Sequence, residues 1–449
     1  MTGQGERWTS DQVLALASDE ASRAAAGRLA TPGPWSGLGA WGDAVWGHCA
    51  GSGSTPYRTV VDLNGPGFHC GCPSRKSPCK HALGLLLLWS TDRDSVPDAA
   101  AGPPDWAGDW LARRRDEAGG ESGDHAGGPA PGAGETARRR AERRMRRIAD
   151  GARELEERLA DLVGGGLAAD GAWSAVQWEE TAARMIDAQA PGLAARAREL
   201  GSIAGSGADA AERLLAECAL LHTLNQGFLR LDRLPEPLAA TVRSRVGIPV
   251  DGATLSASGS TVRDHWAILA QRDADDGRLV TRRIWLYGRD SGRMALLLSY
   301  GAGGRAPELS LPVGTAFDAE LAFHPSASPL RATLGARHGP PAPCAQPPPG
   351  GDITAALSAY GEALRGDPWL ESWPVVLAAV TPIPDPAQGW QLADAQGDSA
   401  LPVDPRCAER AGLWRLAAIS GGRPVTVFGE YGHRGFTPLA TWGPEPVPL

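Results

Sequence analysis

The chain has 449 residues and a formal net charge of −8, a length that suits two or three domains and a charge that denies the whole molecule the electrostatic footprint of a non-specific DNA binder. Its only lysines, Lys76 and Lys80, do not follow glycines, which excludes a phosphate-binding P-loop, and the longest apolar run, Leu85 to Trp89, is far too short to span a bilayer. Gly (58) and Pro (37) together exceed a fifth of the chain, which predicts irregular stretches between compact parts.

The N-terminus is polar and lacks the apolar core of a secretory signal, so a cytoplasmic protein without membrane association is expected. Thr9-Ser-Asp-Gln12 reads as a capping box that opens an amphipathic helix running to about Ala30, where Pro32 and Pro34 stop it. Gly37-Leu-Gly-Ala-Trp-Gly42 matches G-x-G-x-x-G literally, but no strand precedes it and it is not read as a nucleotide loop. Ala44 to Ala50 and Tyr57 to Leu63 are β-leaning runs that form a hairpin and feed into a cysteine cluster; from His81 the run ALGLLLLW reads as a buried helix. Residues 93–134 are rich in Pro, Gly, Asp and Ala and read as a flexible linker, with a short amphipathic piece at Trp106 to Arg115 that folds within it or docks on a neighbour.

From Glu135 the period becomes helical. Met145, Ile148, Ala152, Leu155, Leu159 and Leu162 form one apolar stripe, and further helices are expected at Ala172 to Ala188, Gly192 to Ile203 and Asp209 to Arg230. The first of these helices carries a basic block, Arg138, Arg139, Arg140, Arg143, Arg144, Arg146 and Arg147, read first as a solvated face softened by pairs such as Glu142 with Arg146. Beyond Pro249 strands are expected at Trp266 to Arg272, Arg283 to Tyr287, Met294 to Tyr300 and around Phe317 to Phe323. One helix, capped by Asp352 and closed by Gly366, then precedes hairpin segments at Trp390 to Ala393, Leu413 to Ile419 and Val425 to Phe428.

The segment FHCGCPSRKSPCKH sets Cys70 and Cys72 two apart at a strand end, and Cys79 and His81 two apart at a helix start. Two chelating pairs of this kind suit the tetrahedral N/S preference of zinc, and four protein ligands leave no open position for catalysis. His48, Cys49 and His69 lie near enough to compete as ligands, but the alternation of an extended strand turns His69 away from Cys70. Arg75, Lys76 and Lys80 surround the site; they are candidate partner contacts, or they offset the net negative charge of three thiolates and an imidazole on zinc. His222, His265, His324, His338 and His433, with Cys218, Cys344 and Cys407, have no spacing that assembles a catalytic set.

The pattern C-x-C-x6-C-x-H after a two-stranded lead-in, over about Ala44 to Trp89, resembles the SWIM zinc finger, and in particular its long bacterial form. The resemblance implies a β-β-α module that binds DNA or protein, and an association with MoxR-type ATPases and von Willebrand A-domain proteins. The expected architecture is α+β multidomain: an N-terminal helix and zinc module over 1–92, the linker over 93–134, a helical domain over 135–248 and a β-rich domain over 249–449. The expected function is zinc-dependent recognition without catalysis; the alternative is an enzyme whose site lies in the β-rich region, which a concave pocket with convergent ionisable groups would favour.

Overall fold

The computed structural model describes residues 7–449 apart from 15, 18–19, 52–54, 64–66, 75, 101, 121–132, 167–174, 204–209, 251–254, 256–260, 276–278, 303–305, 308, 386–388, 408–410 and 444. The capping box forms as the sequence demands: the Thr9 N–H donates to Gln12 Oε1 at 2.9 Å and the Gln12 N–H donates to Thr9 Oγ1 at 3.2 Å. The helix it opens is short, however. Instead of one helix to Ala30 there are two, α1 (Ser10–Leu14) and α2 (Glu20–Gly27). The first of the two is held against the C-terminal part of the chain by Trp8 Nε1 donating to Pro341 O at 3.0 Å and Gln12 Nε2 donating to Gly314 O at 2.9 Å.

Four antiparallel strands follow as a meander: β1 (Trp35–Trp41), β2 (Ala44–Cys49), β3 (Tyr57–Asp62) and β4 (Gly67–Cys70). The G-x-G-x-x-G match lies in β1 and its turn, and one of its glycines has a packing reason: a Cβ at Gly39 would sit 2.6 Å from the Trp46 indole on the neighbouring strand. Side chains of the meander alternate between two cores. Val45 and Val61 face α3 (Lys80–Thr91), whose residues from His81 to Trp89 are all buried, so this helix lies between the sheet and α1 and α2. Ala44, Trp46 and Val60 face the other way, onto Ala107 and Leu111 of α4 (Asp105–Gly120). The segment read as linker thus contains α4, and its apolar piece covers the second face of the sheet.

The middle of the chain is helical: α5 (Ala133–Gly165), α6 (Ala175–Asp187), α7 (Pro191–Ile203), α8 (Ala210–Leu229) and α9 (Glu236–Val246). The stripe from Ile148 to Leu162 is fully buried in the bundle, with Met145 at its margin. The sequence reading had not anticipated α9, although Pro237 in its first turn and a left-handed Gly247 at its end are standard boundary signals.

The C-terminal region is β-rich. Strands β5 (Thr261–Asp275), β6 (Leu279–Gly288), β7 (Met294–Ala302), β8 (Thr315–Phe323) and β9 (Arg331–Arg337) close on themselves, since β5 pairs with both β6 and β8, β7 with β6 and β9, and β8 with β9. The only parallel contact in this ring is β7 with β9, giving the connectivity of the five-stranded Greek-key barrel known as the OB fold. A short β10 (Ala342–Pro343) extends the β8 edge. After α10 (Ile353–Gly366), N-capped by Asp352 as expected, comes a second, six-stranded antiparallel sheet. It comprises β11 (Ser372–Asp385), β12 (Gly389–Asp394), β13 (Ala400–Pro402), β14 (Val425–Gly432), β15 (Gly435–Trp442) and β16 (Pro446–Pro448).

Between β13 and β14 lies α11 (Ala411–Ser420), a helix where a strand was expected at Leu413 to Ile419. Its buried residues, Leu413, Leu416 and Ser420, are three and four apart, which is helical spacing rather than alternation. One face of the second sheet packs on α10 and α11 through Val375, Leu377 and Val427, and the other face packs on the barrel through Val376 and Phe428. On the barrel side the covered surface is the outer face of β6 and β7, including Trp285 and Leu296, with Arg283 paired to Glu430 at 2.6 Å.

Candidate metal centre

Cys70 is the last residue of β4, Cys79 is the N-cap of α3 and His81 is the second residue of that helix. A strand end therefore faces a helix start, and the turn from Gly71 carries Cys72 round to meet them. One ligand atom from each of Cys70, Cys72, Cys79 and His81 lies within 4.8 Å of all the others, and Cys70 Sγ is 3.7 Å from His81 Nδ1. Zinc bond lengths of about 2.3 Å to sulfur and about 2.0 Å to nitrogen imply tetrahedral edges of about 3.5 to 3.8 Å, so the donor atoms are spaced to hold such an ion. Three sulfurs with one imidazole form a soft donor set of the kind zinc prefers.

The surroundings favour thiolate. The Thr59 hydroxyl lies 3.2 Å from Cys70 Sγ, and the Ala82 N–H donates to Cys79 Sγ at 3.5 Å from the first turn of α3. Within the cluster Cys70 is held far below the ordinary thiol range, at about 3, by its hydrogen bond with Cys79; burial opposes this and His81 and Thr59 reinforce it. Cys79 is pushed up by the same hydrogen bond and by burial, and Cys72 is raised chiefly by burial. A divalent cation held by Cys70, Cys72, Cys79 and His81 would supply the positive charge that lets all three sulfurs ionise together.

Thr59 was not singled out in the sequence, because only the strand register reveals its place. It sits directly across from Cys70 in the β3–β4 register and is fully buried. Because a hydroxyl that donates to a ligating sulfur sets its basicity and orientation, Thr59→Val is expected to weaken metal affinity about tenfold. Competition with a chromophoric chelator measures this, and unchanged affinity would assign Thr59 to packing alone.

Two of the competing ligands, His48 and His69, are separated from the cluster by the sheet, whereas Cys49 lies on the same side as the cluster. His48 lies against Trp106, with ring centroids 5.2 Å apart, and His69 stacks on Trp110 at 5.9 Å, both on the α4 side. Cys49 is buried on the α3 side, where burial first and then the charge of Cys70 raise its thiol to about 11. Of the cationic residues, Arg75 lies outside the described residues. Lys76 Nζ donates to Ser22 Oγ of α2 at 3.3 Å, while Lys80 is exposed at the start of α3.

The basic block forms an exposed end of α5 with partial internal compensation. Arg138 pairs with Glu142 at 3.2 Å, and Arg144 Nη2 donates to Gly247 O at 3.3 Å. The expected Glu142–Arg146 ion pair is replaced by a contact from Arg146 Nε to the Glu142 carbonyl at 3.4 Å. Elsewhere the histidines engage local partners, as His222 with Glu156 at 2.6 Å and His265 with Asp290 at 3.1 Å, and Cys218, Cys344 and Cys407 lie in separate regions.

A cleft of about 740 Å³ opens where α1 and α2 meet β10, β16 and α11. Its described ionisable lining consists of Arg23, Arg415, Glu445 and Cys344, with no histidine and no pair of carboxylates. It is a junction between the N-terminal unit and the β-rich region rather than a pocket within that region.

A family model described as a SWIM-associated four-helix bundle domain matches residues 143–246, the stretch from within α5 to the end of α9. No curated protein and no solved structure matches the chain. The Cys/His cluster and the matched bundle together suggest a zinc-binding protein that carries a SWIM-associated domain. Among the described residues no helix is long and apolar enough to cross a membrane.

Proposed function

We propose that the chain is a zinc-binding interaction protein, in which Cys70, Cys72, Cys79 and His81 make a SWIM-type zinc finger that recognises a protein partner. The observation that carries this reading is the donor cluster itself, four ligand atoms within 4.8 Å of one another between a strand end and a helix start. A four-ligand cage is closed to substrate, so its role is to hold a surface in shape. The match of the following helices to a SWIM-associated domain supports assignment of the cluster to that type of finger.

Protein is favoured over nucleic acid on charge and on coverage. The chain carries −8 overall, and Lys76 is engaged by Ser22. The outer face of β6 and β7, on which OB barrels hold oligonucleotides, is covered by the second sheet. A partnership with a MoxR-type ATPase and a von Willebrand A-domain protein is the specific form of the proposal that the resemblance implies.

Affinity capture from the source cytosol with the intact protein and with Cys79→Ser tests this reading. A defined partner retained by the intact chain and lost with Cys79→Ser supports it, whereas identical partner sets reduce the site to scaffold. A salt-dependent DNA shift lost on Lys80→Ala would instead make DNA the partner.

A further inference from the structure

The barrel has a weak seam. Strands β7 and β9 are joined only at Leu296 with Arg331 and at Leu297 with Ala332, after which they part. A cleft of about 340 Å³ opens beside this seam, roofed by Arg114 of α4 and lined by Arg331 and Arg337 from the two ends of β9. Leu298 and Leu334 give it an apolar wall. Three arginines thus line one cleft, and Arg114 is paired with Asp62 at 3.3 Å.

Arg337 gives the cleft its direction. Its Nη1 is buried and makes no hydrogen bond. A buried guanidinium hydrogen without an acceptor costs on the order of 1 to 3 kcal/mol, and more for a charged group, so such an atom marks a place where an acceptor belongs. Its guanidinium is lowered from its ordinary value by burial first and then by the like charge of Arg114, with Asp62 opposing. An incoming anion would relieve both effects.

We infer that this cleft binds a small oxyanion, a phosphate or a carboxylate carried on a short apolar body, with Arg337 as its direct ligand, Arg114 beside it and Arg331 adding positive charge from the other end of β9. Planar guanidinium forks match both oxyanions, and the volume lies at the small end of the range for ligand sites. The site contains none of the zinc-cluster residues, although its roof, Arg114, belongs to α4 of the N-terminal unit.

The test is calorimetric titration of the full-length, zinc-loaded protein with inorganic phosphate in one arm and hexanoate in the other, at low ionic strength. Saturable binding of one ion per chain in at least one arm is expected, and the arm that responds identifies the headgroup. Arg337→Gln should weaken it about tenfold or more, and Arg331→Gln several-fold. Arg331 is exposed, so its replacement leaves the core intact and decides the matter if Arg337→Gln fails to fold. Absence of saturable binding in both arms, or affinity unchanged by Arg331→Gln, overturns the inference.

Discussion

Stripping the metal, or replacing Cys79 with Ser, is expected to unfold the N-terminal unit while leaving the bundle and the β-rich region folded. Binding at a closed zinc site contributes roughly 10 to 16 kcal/mol, more than the whole stability of a typical small domain. The ligands join β4 to the start of α3, and α3 is the element around which the N-terminal core is built. The other cores contain no residue from this unit: the bundle runs from Ile148 to Trp369, and the barrel and second-sheet clusters draw on residues beyond 260. Hydrogen exchange read by mass spectrometry should therefore show protection lost across residues 7–120 and retained across 143–246 after chelation. Metal analysis should give about one zinc per intact chain and none for Cys79→Ser. Retained protection across β2, β3 and α3 without metal would show that the apolar core alone holds the unit together.

Trp369→Ala is expected to cost about 3 to 5 kcal/mol and to uncouple the bundle from the second sheet. The indole is donated from outside the bundle, since Trp369 follows α10 and immediately precedes β11, yet it is buried in the same core as Leu221, Leu224 and Phe228. Its Nε1 donates to Leu220 O at 2.9 Å, and two residues earlier Asp367 meets Arg245 of α9 at 2.7 Å. Truncation leaves a cavity that the bundle cannot refill from its own sequence. Calorimetry should then resolve two thermal transitions, the bundle melting first. A single transition shifted by a degree or two would mean that the contact between the parts is broader than this one side chain.

What the sequence made legible was local. The Cys/His cluster could be read because metal chemistry constrains residue type and spacing within twelve positions, Cys70 to His81. The stripe on α5 could be read because one period persists for several turns. Closure of the barrel could not be read, since β5 finds β8 and β7 finds β9 across long intervals where alternation fixes the face of a strand but not its neighbour. The Ala- and Leu-rich run of α11 is too short for its period to separate helix from strand. Around 93–134 the sequence marked α4 only as an amphipathic piece at Trp106 to Arg115, since the face it docks on, Trp46 and Val60, lies elsewhere in the chain. Thr59 escaped notice for a related reason: its role depends on the register of β3 against β4.

The covering of the β6–β7 face bears on how the gene can be dissected. A fragment ending after β10 would carry all five barrel strands, yet it would present Trp285 and Leu296 to solvent with no Phe428 or Leu439 to meet them. Such a patch drives self-association. For expression, crystallisation or domain-swap experiments, the barrel and the sheet behind it are therefore one indivisible cassette, and useful cut sites lie upstream of β5.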